Sequence, residues 1–246
     1  MKQNIYDNPE FFTQYMALRE SGINYNEFIE QPAVRSLISN LDGKRVLDLG
    51  CGTGNFAMYC VKKGAAKVVG VDISEKMIER AKNFNHHEKI TYICTAMEEF
   101  EYTGSYFDLV TSSLAIGYIK DYDGICAKIS KLLKKNGECI ISLEHPITTA
   151  RKAKNNWITD EKGRRIHFAV DHYQEEGERR IDWYVENVIV YHRTFSTIIN
   201  TMIAHGLTIE RVLEPLPTEE GFQKLSKMAN EWRRPSFLIV KARKNE

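Results

Sequence analysis

Two short stretches of this chain hold residue types at spacings that can do chemistry. In "RVLDLGCGTGNF", Arg45 to Phe56, an apolar run breaks into Gly50, Gly52 and Gly54. Glycines directly after a strand let the backbone approach a ligand closely and take positive φ without a Cβ clash. A helix that follows points its free N–H groups at the same place. Some 20 residues on, Asp72 closes "VVGVDIS", and a carboxylate at the end of a second strand can accept hydrogen bonds from both hydroxyls of a ribose. The spacing Gly50-x-Gly52-x-Gly54 leaves Asn55 where the third glycine of a dinucleotide fingerprint belongs, and no Gly-Lys-Ser/Thr follows to make a P-loop. Loop and acid together point to a nucleoside-bearing ligand with no diphosphate to cradle. Without a ligand the same residues would be a tight turn and a helix-capping acid.

The second stretch is "SLEHP", with Glu144 and His145 at the end of an apolar run. A histidine that titrates near neutrality suits proton removal from a phenol, enol or acid. Glu144 can orient it or line a pocket, and the alternative for His145 is a structural role in the turn before Pro146. The five cysteines, Cys51, Cys60, Cys94, Cys126 and Cys139, form no C-x-x-C pair and sit beside no histidines at zinc spacing. They read as free thiols in a cytoplasmic protein, and no metal site is expected.

These residues must be positioned by regular elements, and the pattern of the chain supplies them. The first forty residues place apolar side chains at helical spacing, giving two or three helices with Pro32 opening the last. From "KRVLDLG" onward, strands ("AKVVGVDI", "KITYICTA", "YFDLVTSSL", "ECIISLEHP") alternate with helices ("FAMYCVKKG", "SEKMIERAKNF", "GICAKISKLLKKNG"), the last of these ending at Gly137. Ser74 is the expected N-cap of the second helix. Such alternation implies a parallel sheet wound on both faces. After Pro146 the chain turns polar and aromatic, with β-like patches "IHFAV" and "WYVENVIVY", before a helix "TFSTIINTMIAHG" and strands "LTIERVLEP" and "SFLIVKARK".

With these elements in place the resemblance becomes specific. "VLDLGCGTG", "VVGVDIS", "TAMEEF", "YFDLVTSSLAIGYI" and "LLKKNGECIISLEHP" resemble successive motifs of the class I S-adenosylmethionine-dependent methyltransferases, densely over residues 40–146. The C-terminal segment is similar to bacterial small-molecule members of the group. The resemblance implies an α/β Rossmann-like, doubly wound seven-stranded sheet, mostly parallel with an antiparallel last strand. It also implies one methyltransferase domain over residues 1–246, with an N-terminal helical lid (1–42) and a substrate-side insertion (147–193). Carried over by residue, Gly50, Cys51, Gly52, Thr53 and Gly54 would hold the methionine part and ribose of S-adenosylmethionine, and Asp72 the ribose diol. Ile73 and Met77 would flank the adenine, Ala96 and Met97 would meet its edge, and Ser113 would lie beside the methionine. Tyr15 and Arg19, one helical turn apart, would reach the carboxylate end. Two departures stand out: Thr95 replaces a frequent aspartate, leaving Glu98 as a substitute at the adenine, and Gly117 precedes Tyr118 where relatives often carry histidine.

Methyl transfer from a sulfonium needs alignment and exclusion of water more than a dedicated catalytic group. The acceptor is expected from the side of Tyr118 and the insertion, with Tyr191, His172 and Arg193 (toward an anionic acceptor, or shaping the next helix) as candidate contacts beside Tyr173, Trp183, Tyr184 and His192; for any one of these, packing is the commoner role. O-methylation of a small molecule is favoured. No Asn/Asp-Pro-Pro-Tyr/Phe follows the fourth strand, which argues against planar-nitrogen acceptors. A cofactor-binding protein without transfer, or another transferase on the same scaffold, is the alternative. A net charge of +1 gives no field toward nucleic acid or anionic membrane. The longest apolar runs fall short of the roughly 18 to 20 residues a spanning helix needs, and no signal peptide is evident. The expected state is a monomer or homodimer.

Overall fold

The computed structural model describes residues 2–153 and 156–245. A 3-10 turn, Ile5–Asp7, precedes α1 (Pro9–Glu20), whose first N–H groups bond the Asn8 side chain. A π-turn, Asn26–Glu30, runs directly into α2 (Gln31–Leu37), with Pro32 in its first turn. Next come β1 (Arg45–Leu49), α3 (Asn55–Lys62), β2 (Lys67–Asp72), α4 (Glu75–Phe84), β3 (Ile90–Cys94), β4 (Phe107–Ser113), α5 (Tyr122–Leu132) and β5 (Leu133–Glu144). The segment after β5 holds α6 (Pro146–Thr149) and two hairpins, β6 (Trp157–Thr159) with β7 (Arg165–Phe168) and β8 (Gly177–Trp183) with β9 (Val185–His192). The chain then forms α7 (Phe195–Ala204), β10 (Leu207–Leu213), α8 (Glu219–Lys224), a 3-10 stretch Ser226–Trp232, and β11 (Phe237–Lys244).

Seven strands make one sheet in the order β10-β11-β5-β4-β1-β2-β3. Strands β1 to β5 pair in parallel, and β11 runs antiparallel to both of its neighbours. Alternate side chains serve opposite faces, as the pleat requires. Leu47, Val69, Val110 and Ile141 pack with Ile125, Ile129, Ile198 and Met202 of α5 and α7. Val46, Val68, Leu109 and Ile140 pack with Phe56, Ala57 and Cys60 of α3 and Val34 of α2. This is the doubly wound, Rossmann-like architecture expected from the alternation. The strand order reverses beside β1, so the carboxyl ends of β1, β2, β4 and β5 surround a natural crevice.

Three details differ from expectation. Helix α5 ends at Leu132, short of Gly137, because the buried Leu133 already pairs with Phe107 of β4. The patch "WYVENVIVY" contains a hairpin turn, with Tyr184 and Asn187 in the left-handed region. Helix α8 and the 3-10 stretch after it carry no strong periodicity and escaped notice; Gly221 and Met228 there pack on Phe28 of the N-terminal segment.

The first residues tie distant elements together. Lys2 reaches Glu98 and Glu99 at 3.6 and 3.0 Å. The Gln3 side-chain amide donates to the Ile189 carbonyl at 3.0 Å and accepts from its N–H at 2.7 Å, like an added strand residue on β9. The Asp7 carboxylate accepts from Ser74 Oγ at 2.6 Å and from the N–H groups of Glu75 and Lys76, at the positive end of α4. Partial burial pushes the Asp7 carboxyl up, but these bonds and one from Asn4 outweigh it, so its folded pKa lies below the usual 3.8. Its contribution is therefore full above that value and fades as pH falls through the lowered one. Asp7→Ala is expected to cost about 1–2 kcal/mol in urea unfolding at pH 7, a difference that shrinks toward pH 3.

Candidate active site

A cavity of about 1010 Å³ opens at the carboxyl ends of the strands. Its floor is the loop after β1. Gly50 takes φ +78°, and a Cβ there would stand 2.3 Å from the Ala115 Cβ, so no side chain fits. Gly52 takes φ +52° with no protein atom within 4 Å of where its Cβ would be, leaving its face open to the cavity. Cys51 and Thr53 also line the cavity. Gly54 does not: its φ of +78° turns it onto the Tyr92 ring, at 2.2 Å from a built Cβ to the hydroxyl, and its role is to let that ring pack.

Asp72 sits at the tip of β2 and accepts the Gly52 N–H at 2.8 Å and the Ser74 N–H at 2.9 Å. Burial pushes its carboxyl above the usual range against these bonds. Ile73, Met77, Ala96, Met97, Glu98 and Ser113 all face the same cavity. Thr95, by contrast, uses its N–H on the Asp72 carbonyl. So of the fourteen positions proposed for a cofactor from sequence, only Gly54 lies off the cavity wall, Tyr15 and Arg19 included on it.

Sequence reasoning passed over a residue inside its own first motif. Asp48, inside "VLDLG", is 1 % exposed yet lines the cavity; its Oδ1 accepts the Thr111 hydroxyl at 3.2 Å and its Oδ2 has no partner. Burial, with Asp72 and Glu30 nearby, raises its carboxyl to about 7. Arg19 faces the cavity too, with Nη2 at 3.6 Å from Glu27 and Nη1 buried without a partner. Unpartnered buried polar atoms are costly, and one cationic and one anionic orphan in one cavity suit a ligand bearing both charges, such as an amino acid. An acid in an otherwise apolar strand was the signal available for Asp48.

The far side of the cavity is aromatic. Tyr6 packs edge-on to Tyr15 and Tyr118 at 5.1 and 6.2 Å, and Tyr15 to Trp183 at 5.9 Å. The Tyr6 and Tyr118 hydroxyls lie 3.5 Å apart. Burial raises both phenols, Tyr118 with help from the Glu144 charge. Glu144, at the end of β5, turns its accessible surface to this cavity and accepts no hydrogen bond among the described residues. The surrounding protein raises its carboxyl, opposed only in part by Arg234.

The remaining expectations divide. Tyr118, Tyr191 and Arg193 line the cavity, whereas His172 does not reach it. Arg193 spends its guanidinium on the carbonyls of Ile119 and Lys120 and stacks 5.0 Å over Tyr122, holding the loop after β4. It offers no free fork to an anionic acceptor. His145 is also off the cavity wall. Its Nδ1 accepts the Ile147 N–H at 3.2 Å, capping α6, and its Nε2 meets Glu214 at 2.7 Å. The five cysteines are free, four of them buried and Cys94 exposed. No helix among the described residues is long and apolar enough to cross a membrane.

Known proteins share this arrangement. Residues 47–141 match the methyltransferase domain family. An uncharacterized protein of Haemophilus influenzae is 38 % identical over 258 aligned positions, covering 100 % of this chain and 98 % of the relative. The crystal structure of an S-adenosylmethionine dependent methyltransferase from Mesorhizobium loti is 37 % identical, covers 87 % of this chain and 97 % of its own, and superposes with a TM-score of 0.81. The chain belongs to the class I S-adenosylmethionine-dependent methyltransferases. A ubiquinone biosynthesis O-methyltransferase of Neisseria meningitidis is 35 % identical over 108 residues, 42 % of this methyltransferase and 45 % of that one.

His145 in this methyltransferase therefore has a testable structural role. Burial lowers its pKa below 6.5, although Glu214 pulls the other way. Its neutral form is favoured on folding, so stability is full above about pH 6.5 and falls as pH drops through the lowered value. His145→Ala is expected to cost about 1–2 kcal/mol at pH 7.5 and to remove part of the loss of stability between pH 6.5 and 5, both read from urea unfolding.

Proposed function

We propose that this methyltransferase methylates a hydroxyl of a small-molecule acceptor, with Glu144 taking the proton. The observation that carries the reading is the Glu144 carboxylate: at the end of β5 it is exposed on the cavity wall and makes no hydrogen bond among the described residues, while the protein around it raises its carboxyl. A base is most effective when its pKa approaches the working pH, and a raised carboxylate moves in that direction. The cavity volume sits at the upper end of the roughly 300–1,000 Å³ of small-molecule sites, which suits cofactor and acceptor together. Walls from Tyr6, Tyr15, Tyr118, Trp183 and Tyr191 would orient an apolar or aromatic acceptor and keep water out.

S-adenosylmethionine, when bound, supplies a methyl group already activated on a sulfonium. For its binding we assign the Asp72 carboxylate to the ribose hydroxyls, and the open face at Gly50, Cys51, Gly52 and Thr53 to the ribose and methionine chain. Ile73 and Met77 would flank the adenine, with Ala96, Met97 and Glu98 at its edge. Arg19 and Tyr15 would receive the α-carboxylate and Asp48 the α-ammonium, which would satisfy both orphan atoms. Ser113 lies beside that end. Helix α1 and the residues before it serve as the lid over this subsite, and the unpaired cysteines favour a cytoplasmic setting.

Asp72→Ala is expected to weaken S-adenosylhomocysteine binding in calorimetry by about 10- to 100-fold, the loss of a charge-assisted pair of hydrogen bonds; a change within threefold would exclude the ribose assignment. With an acceptor found by labelled-methyl transfer onto a metabolite extract, Glu144→Gln should lower turnover by roughly 10²- to 10⁴-fold with cofactor affinity unchanged. Wild-type turnover should climb as pH rises through a value above 4.5, because only ionised Glu144 accepts a proton, and the variant should lack that limb. Labelling confined to nitrogen or carbon would overturn the choice of acceptor atom.

A further inference from the structure

Glu30 is a buried acid behind the cavity wall to which the reading above gives no function. Glu30 ends the π-turn before α2 and is 0 % exposed. Its Oε1 accepts the hydroxyls of Ser113, at 2.7 Å, and Ser142, and its Oε2 accepts the Gln31 side-chain amide at 2.7 Å. The same Gln31 amide donates to Ser113 Oγ at 3.3 Å. Ser142 Oγ in turn accepts the N–H of Leu114 at 3.1 Å, a residue held at φ +51° where β4 leaves the sheet. Ser113, Leu114 and Gln31 all line the cavity. Glu30 also lies within electrostatic reach of Tyr15 and Asp48, at the end where the Arg19 and Asp48 orphans sit. One carboxylate thus joins the N-terminal segment to the ends of β4 and β5 through three side-chain donors; such locally widened helical turns recur at functional sites.

We infer that Glu30 is a positioning residue that sets the amino-acid end of the cofactor subsite by fixing Gln31, Ser113 and the strained Leu114 bend. The inference rests on the reading above that this end of the cavity takes the amino acid of the cofactor. Glu30 touches no part of the cavity itself and acts through those side chains. Replacing it by glutamine swaps one acceptor oxygen for a donor among groups that are already donors, which reorients the network without emptying the space.

The test compares two ligands by calorimetry on the full chain: S-adenosylhomocysteine, and 5′-methylthioadenosine, which keeps the nucleoside and lacks the amino acid. Glu30→Gln should weaken S-adenosylhomocysteine by about tenfold or more and 5′-methylthioadenosine by less than about twofold. Ser142→Ala should show the same inequality at smaller size, and it decides the matter if Glu30→Gln does not fold. Equal weakening of both ligands, or of neither, in the folded variant overturns the inference. Wild-type protein that binds the two ligands equally overturns the amino-acid-end reading itself, and the two failures are thereby told apart.

Discussion

The bond from the Gly52 N–H to the Asp72 carboxylate holds the floor of the cavity to its side wall. It links the loop after β1 to the end of β2, while the other Asp72 oxygen accepts Ser74 and so fixes the start of α4. Asp7 grips the same helix start from the N-terminal segment. A carboxylate spent on backbone N–H groups is costly to bury and must be over-determined by its surroundings. Here the adjacent elements supply that constraint: a parallel sheet that brings β1 and β2 side by side, and glycines that let the loop turn beneath the acid.

Much of this was legible because each part leaves a local trace. Alternating strands and helices announced the sheet, and Gly50, Gly52 and Asp72 announced the crevice, since close backbone approach and a strand-end acid demand particular residues at particular spacing. Gly54 shows the limit of such spacing: it shares the motif but serves the Tyr92 ring. The positions that escaped are those whose meaning depends on contacts far along the chain. Glu30 and Ser142 are separated by 112 positions, and nothing in "NEFIEQP" distinguishes a buried anchor from a surface acid. His145 looked like a base because it ends a strand beside the expected acceptor, yet strand-end residues alternate in direction, and it is its neighbour Glu144 that turns inward.

The cavity gathers acids from the ends of three strands. Asp48, Asp72 and Glu144 face it and Glu30 lies just behind, and the charges of Asp72 and Glu30 raise the cost of ionising Asp48. Arg193, lying on the wall, is already committed to carbonyls. Arg19, by contrast, keeps an unpartnered nitrogen there, so the wall presents both signs of charge to a ligand.

Gln3 adds a dimension that the sheet alone does not provide. By pairing with both backbone groups of Ile189, it stitches the N-terminal segment to the β8–β9 hairpin, while Lys2 spans to Glu98 and Glu99 on the same cavity wall. The rim around the cavity is in this way one continuous seam sewn from both halves of the chain. The β8–β9 hairpin and the loop after β3 are thus held by two consecutive residues of the chain.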